Sequence, residues 1–425
     1  MTQSPVSDGQ GAGPWTSLGP AAPDPGAWLS VVGVHEDGLA GLGARARAVV
    51  AGAETLVGDA RMLGHVPEDG RERLSWPKPL SALFPEIEKR RGRRVCVLAS
   101  GDPLVHGIGA LIAARFPEAV FLPAPSSFAL ARARMGWDDG SLECLSLHHH
   151  PLESLAGALF PGARLLLLTR DGATPAAAAA FLTARGFGPS RLTVFERMAG
   201  PREVRLEGVA GSWPHERVDD LNVLAIECRA GDGALALPRA PGLDDDLFAS
   251  DGVMTKREAR ALTISALRPL PGQVLWDVGA GCGSIGIEWL RAAGPKARVL
   301  AIEAKPERCA LIADNRVRFG ATRLEIVAGE APEALAGLTA PDTVFIGGGI
   351  TVPGVFAACW GALKPGGLLV ANGVTLEAEA ALAGWSQSHG GALIRIEIAR
   401  TVPLGGFTGW RPLMPLSQWS VRKAP

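Results

Sequence analysis

The stretch V-L-W-D-V-G-A-G-C-G at 274–283 most constrains what this chain can fold into. Residues 274–278 form a short apolar run of strand type, and glycines follow at alternate positions, Gly279, Gly281 and Gly283. Ser284 is placed to cap a helix over 285–290. A strand that turns through glycine into a helix N-terminus lets a ligand approach the backbone amides closely. Residues 298–302 read as the next strand, with Glu303 at its end, where an acidic side chain can accept both hydroxyls of a ribose. Together these make half of a nucleoside-cofactor site.

The cofactor is not named by the glycines alone. Residues 281–286 also satisfy G-x-G-x-x-G, so an NAD-dependent oxidoreductase stays open. Three features favour S-adenosylmethionine. Asp277 lies two residues before the first glycine, where a carboxylate can hold a methionine ammonium. The alternating glycines make a tighter loop than a pyrophosphate needs. The turn Leu363-Lys364-Pro365-Gly366-Gly367 before the strand at 368–371 is similar to the one before strand five of class I methyltransferases. The expected cofactor contacts here are Asp277, Gly279, Ala280, Gly281, Cys282, Gly283 and Glu303, with Gly329, Glu330 and Ala331 ending a third strand. Ligand groups gather at strand C-termini in such sheets.

With 425 residues, the chain is long enough for two or three domains. A formal net charge of −1 and 6% aromatics speak against a nucleic-acid groove or a membrane-surface binder. No apolar run approaches membrane-span length, and the N-terminus lacks a signal-peptide pattern. The cysteines at 96, 144, 228, 282, 309 and 359 show no C-x-x-C pairing, which suits a reducing cytoplasm. Tyrosine is absent, so no tyrosine acid or oxyanion donor is available.

Along the chain, residues 1–27 are rich in Pro and Gly without Lys or Arg, the composition of a disordered tail. Strands are expected at 28–34, 55–58, 93–99 and 120–122, with a helix over 39–51, which implies a parallel α/β layer structure. Further strands at 144–147, 164–168, 192–195 and 221–227 and a helix at 176–185 form a second group. Residues 231–245, rich in Gly, Pro and Ala over 231–242, read as a linker. The domains are thus 28–230, with subdomains about 28–123 and 124–230, and 246–425. Thr255 and Glu258 stand at capping-box spacing before a helix. Strands follow at 324–327, 343–346 and 368–371, and 394–399 pairs with 417–422.

The second half, with Gly252-Val253-Met254-Thr255-Lys256-Arg257-Glu258-Ala259-Arg260 beside its glycine loop, resembles class I methyltransferases that decarboxylate and methylate a corrin precursor. The first half resembles the class III tetrapyrrole methylases through Ser100-Gly101-Asp102-Pro103, Pro125-Ser126-Ser127-Phe128, Ser146-Leu147-His148 and 168–175, L-T-R-D-G-A-T-P. In that order they resemble a two-domain methyltransferase family of cobalamin biosynthesis.

The resemblance implies an α/β chain: a tetrapyrrole-methylase fold of two subdomains with a cleft, then a Rossmann-like class I domain. It implies two S-adenosylmethionines per chain, with S-adenosylhomocysteine as product. Methyl groups would pass to carbons 5 and 15 of a reduced tetrapyrrole, and the ring C acetate would lose carbon dioxide. Asp102, the amide near Val105, Ser126, Ser127 and Thr169 would hold the first cofactor, and Thr255 would lie near the second. A homo-oligomer built on the C-terminal domain is also implied. A substrate with many carboxylates needs cations at its rim, for which Lys256, Arg257 and Arg260 are candidates. No catalytic triad or metal site is expected, since an electron-rich ring carbon needs no activated side chain.

Three motif positions depart from the family. His35 stands where glycine is usual, His106 replaces an aromatic or apolar residue, and Ser-Leu-His continues as His149-His150 instead of Gly-Arg. His149 or His150 is a candidate to replace the missing arginine on a propionate. An inactive first half is the corresponding alternative.

Overall fold

The computed structural model describes residues 27–148 and 150–425. Residues 1–26 of the stretch 1–27 read above as a tail, and His149, lie outside them. Strands β1 (Leu29–Val34), β2 (Thr55–Gly58), β3 (Glu72–Ser75), β4 (Val95–Ser100) and β5 (Val120–Leu122) form a parallel sheet in the order β3-β2-β4-β1-β5. The apolar runs of β1 and β4 put them at its buried centre, as expected for strands covered on both faces. Helices α1 (Ala44–Gly52), α2 (Ala60–Gly64), α3 (Leu83–Glu88) and α4 (Gly109–Arg115) connect the strands. The helical pattern expected over 39–51 is interrupted at Gly43, which caps α1 after a short 3-10 turn.

After α5 (Ser127–Met135), a second sheet contains β6 (Glu143–Ser146), β7 (Arg164–Leu168), β8 (Arg191–Glu196), β9 (Val204–Val209) and β10 (Asn222–Glu227), ordered β6-β7-β10-β8-β9. Only β6 and β7 pair in parallel, so this sheet is mixed. Helix α6 (Thr174–Ala184) buries Ala178, Ala179 and Leu182 against it.

The third sheet comprises β11 (Val274–Val278), β12 (Arg298–Glu303), β13 (Leu324–Ala328), β14 (Thr343–Ile346), β15 (Leu368–Gly373), β16 (Ala392–Ile396) and, last in the chain, β19 (Leu416–Arg422). Its order is β13-β12-β11-β14-β15-β19-β16, with β19 antiparallel between β15 and β16. A separate ribbon pairs β17 (Ala399–Leu404) with β18 (Phe407–Pro412). Helices α7 (Arg257–Leu267), α8 (Ser284–Ala293), α9 (Pro306–Arg318), α10 (Val355–Ala362) and α11 (Leu376–His389) cover the two faces. Trp289 anchors the core on one face, and Trp276 and Trp419 anchor the other.

Two helix starts differ from the expectation. Gly283, in the left-handed region, caps α8, and Ser284 is the first helical residue. Lys256, without a side-chain cap bond, precedes α7, so Thr255 and Glu258 form no capping box. The Thr255 carbonyl is instead held by Arg260, and Glu258 pairs with Arg400. The segment read as a linker is docked: Leu237 and Leu243 are buried in the core of the third sheet.

Candidate active site

Strand order reverses at β11, between β12 and β14, and a cavity of about 760 Å³ opens at the carboxyl ends of these strands. Such a switch point is where open α/β sheets bind ligands. The alternating glycines fold there because each has positive φ, 72° at Gly279, 60° at Gly281 and 80° at Gly283. At Gly279 a Cβ would lie 2.7 Å from the Gly348 nitrogen, so the loop after β14 can approach only a glycine.

Asp277 is fully buried at the floor of the cavity. Its Oδ2 accepts the Gly286 N–H at 3.0 Å, while Oδ1 has no partner. Burial pushes the carboxyl up to about 7; the Gly286 hydrogen bond opposes this, and the charge of Glu303 adds to it. A buried acceptor without a donor is costly and marks a place for a bound donor, best a cation. Glu303 accepts the Gly281 N–H at 2.8 Å on Oε2 and the Lys305 N–H at 3.1 Å on Oε1. A carboxylate has about four lone-pair sites, so each oxygen keeps acceptor capacity for a ribose hydroxyl. Ala280, Cys282, Gly329, Glu330, Ala331 and Thr255 also line the cavity. Aminoacyl and ribosyl groups therefore both find matching partners, and the residues fit S-adenosylmethionine.

The wall away from the glycines is apolar, built by Val374, Ile396, Ile398, Leu413, Met414 and Leu416. Asn372 at its base sits in a buried network: its amide donates to Thr263 Oγ1 at 2.8 Å and its carbonyl accepts from Gln418 at 2.9 Å. Lys256 and Arg308 supply positive charge to the lining. Arg308, on the first turn of the helix after Glu303, was missed by sequence reasoning; its Nε donates to Asp251 at 2.8 Å.

Two of the expected rim cations are elsewhere. Arg257 pairs with Asp244 at the surface, outside the lining. Arg260 is fully buried and bonded to Glu288 and Asp245, so it is not available to a substrate carboxylate. Its position on α7 faces the docked segment 242–248, not the cavity. The Lys364-Pro365-Gly366-Gly367 turn lies at the amino-terminal end of β15, at the end of the strands away from the cavity, where Lys364 holds Asp342 at 2.8 Å.

In the first half, the loops after β4 and β5 are joined by the Ala124 N–H donating to the Gly101 carbonyl at 3.2 Å. Asp102 accepts the Leu104 N–H at 2.9 Å in a tight turn, and Val105 packs against the cluster containing Phe128. Ser126 caps α5 by accepting the Ala129 N–H at 3.1 Å, and Ser127 starts the helix. Thr169 is buried and donates to the Asn222 carbonyl at 2.9 Å. Register places Ser146 and Val223 on either side of Leu168. Ser146 Oγ and Asn222 Oδ1 are buried without partners, so the end of the second sheet next to Thr169 carries unsatisfied polar atoms. Asn222 carried no sequence signal; Ser146 lay in a motif whose chemistry was not read.

Of the departing histidines, His35 and His106 are accommodated locally. His35 Nε2 lies 2.7 Å from the Pro125 carbonyl, joining the loop after β1 to the start of α5. His106 takes φ 54°, and its ring meets Phe128 edge-on. His150 is exposed.

Residues 246–423 match the precorrin methyltransferase domain family, and residues 29–213 match the tetrapyrrole (corrin/porphyrin) methylases. The precorrin-6Y C(5,15)-methyltransferase (decarboxylating) of a Sinorhizobium species is 49% identical over 399 residues, 93% of this chain and 96% of that protein. The protein of that name from Mycobacterium tuberculosis is 40% identical over 403 residues, 93% of this chain and 100% of its own length. The crystal structure of the C-terminal domain of precorrin-6Y C5,15-methyltransferase from Rhodobacter capsulatus aligns with a TM-score of 0.42 at 42% identity, covering 44% of this chain and all of that one.

Proposed function

Since the chain belongs to the precorrin-6Y C(5,15)-methyltransferase (decarboxylating) family, we propose that it methylates a reduced tetrapyrrole at two carbons and decarboxylates it. The first half methylates carbon 5. The second half methylates carbon 15 and removes the ring C acetate carboxyl as carbon dioxide. Two S-adenosylmethionines serve each chain. The observation that carries the reading is the convergence of the unpartnered Asp277 oxygen, the glycine turn and Glu303 on one cavity.

When bound, S-adenosylmethionine supplies an electrophilic methyl on a sulfonium. The residues' work is then to position and to exclude water. Asp277 would pair with the ammonium, Glu303 would accept from the ribose, and the turn from Gly279 to Gly283 would flank the cofactor. Glu330 and its neighbours close the third side. The apolar wall from Ile396 to Leu416 faces the macrocycle, while Lys256 and Arg308 meet its carboxylates. In the first half we assign Asp102, Val105, Ser126, Ser127 and Thr169 to the other cofactor, with Ser146 and Asn222 added. His149 or His150 remains assigned to a substrate propionate.

We assign 28–230 to the first unit, 231–245 to the connection and 246–425 to the second. Leu404, Phe407 and Trp410 expose apolar surface on the β17–β18 ribbon, which supports self-association through the C-terminal unit. A cytoplasmic setting agrees with the free cysteines; among the described residues, no helix is long and apolar enough to cross a membrane.

Calorimetric titration of the full-length protein with S-adenosylhomocysteine tests the reading. Two molecules bound per chain are expected. With labelled cofactor and the tetrapyrrole, two labelled methyls should be gained for each carbon dioxide released. Absence of S-adenosylhomocysteine binding would remove the proposal.

A further inference from the structure

The segment that joins the two halves is built into the frame of the second cofactor cavity. Glu288, on the helix that leaves the glycine loop, accepts the Gly242 N–H at 2.6 Å and the Leu243 N–H at 3.0 Å. Arg260 lies between Glu288 and the segment, fully buried. Its Nε donates to Glu288 Oε1 at 2.6 Å, and its Nη1 to Asp245 Oδ1 at 3.0 Å and to the Thr255 carbonyl at 2.7 Å. Its Nη2 donates to the Leu243 carbonyl, and its guanidinium lies 4.8 Å from the centre of the Phe248 ring. A second buried group extends the frame. Asn315 exchanges hydrogen bonds with both backbone groups of Ala249 and donates to the Cys282 carbonyl inside the glycine loop at 2.9 Å.

The geometry has a direct consequence. Thr255 and Cys282 line the cavity: Thr255 is fixed through Arg260, which also holds the connecting segment, and Cys282 through Asn315, which also holds Ala249 just after the docked stretch 242–248. One planar guanidinium serves four acceptors on three separate stretches of chain, which a single ammonium cannot do. A buried charge of this kind is tolerated only when all its partners stay in place.

We infer that Arg260 is a positioning residue of the second cofactor site: acting through Thr255 and Glu288, it makes docking of the segment 242–248 and cofactor affinity of the cavity rise and fall together. The inference rests on the reading of this cavity as an S-adenosylmethionine site. Arg260 touches neither cofactor nor substrate. It sets the shape of the loop 252–256 and the placement of α8 from behind.

The test uses the full-length protein titrated with S-adenosylhomocysteine. Arg260→Lys keeps the charge and loses the fork. Binding at the second-half site is expected to weaken by about tenfold or more, while binding in the first half is unchanged. Circular dichroism and a cooperative melt report folding. In steady state, KM for S-adenosylmethionine should rise while kcat holds, the pattern of lost uniform binding. Asp245→Asn loosens the segment but leaves the arginine's other acceptors, and should give a smaller loss in the same direction. A folded Arg260→Lys with wild-type affinity overturns the inference. If Arg260→Lys does not fold, Asp245→Asn decides alone: weaker binding supports the coupling and unchanged binding overturns it. A wild-type protein that binds no S-adenosylhomocysteine overturns the cofactor reading itself, whereas a binding wild type with indistinguishable variants overturns only the role of Arg260.

Discussion

Asp277 is a carboxyl placed where water cannot solvate its charge. Burial raises it from an ordinary 3.8 to about 7, so the empty fold prefers the protonated form. The sign of the linkage follows. Its contribution to stability is fully present below its ordinary value and is lost as pH rises to about 7. An ammonium beside Oδ1 reverses the preference, so ligand binding expels a proton at acidic pH. Affinity for S-adenosylhomocysteine at the second-half site should therefore climb between pH 6 and 7, by up to about tenfold per unit, and level off above. Titration in buffers of different ionisation enthalpy should report the released proton. Asp277→Asn should flatten the pH profile and weaken binding above pH 7. A wild-type profile that is already flat would show that the ammonium does not meet this carboxyl.

At the scale of elements, the glycine turn is held by backbone against backbone. Gly279→Ala would place a methyl 2.7 Å from the Gly348 nitrogen, on a residue at φ 72°. The left-handed conformation alone costs about 1–2 kcal/mol, and the clash moves the loop that lines the cavity. Binding of S-adenosylhomocysteine should fall by more than about tenfold. Gly272→Ala, at φ 79° with open space around it, is the control: it should lower the melting temperature slightly and leave binding unchanged.

The same elements show what the sequence makes legible. Strands β11 and β12 were readable because buried parallel strands are continuous apolar runs, and glycine marks their turns. Strand β3, with Glu72 and Arg73 in its four residues, and β9 are polar edge strands, which composition does not separate from loops. The ribbon β17–β18 is exposed along most of its length and so has no buried face to set a pattern. Arg260 was misplaced for a related reason. Periodicity puts it on one face of α7, but which neighbour covers that face depends on where the connecting segment folds back.

Across the whole molecule, helix α9 runs from the cavity to the first half. Arg308 in its first turn lines the site, and the carbonyls of Val317 and Arg318 at its other end accept from Arg185 at 3.2 and 3.3 Å. Cations are favoured at helix C-termini. Burial opposes the charge of Arg185 and lowers its pKa, so these contacts hold a group that the site would otherwise disfavour. Beside them, Gly320 approaches Glu153 so closely that a Cβ would lie 2.3 Å from its carbonyl oxygen. Arg185→Met should weaken the junction by about 1 kcal/mol and separate the unfolding of the halves. Scanning calorimetry should then resolve two transitions closer to those of independent units. A single unchanged transition would show that the Arg185 contacts do not carry the coupling.

Strand β19 lies between β15 and β16 although it follows both in the chain. On a ribosome, β15 and β16 emerge with a gap between them that is filled by a strand made after both. Trp419, fully enclosed on that strand, and Leu416, on the cavity wall, come into place with it. The first half can thus be complete while the second still waits for the strand that joins β16 to the rest of its sheet, so during synthesis the two halves finish folding one after the other.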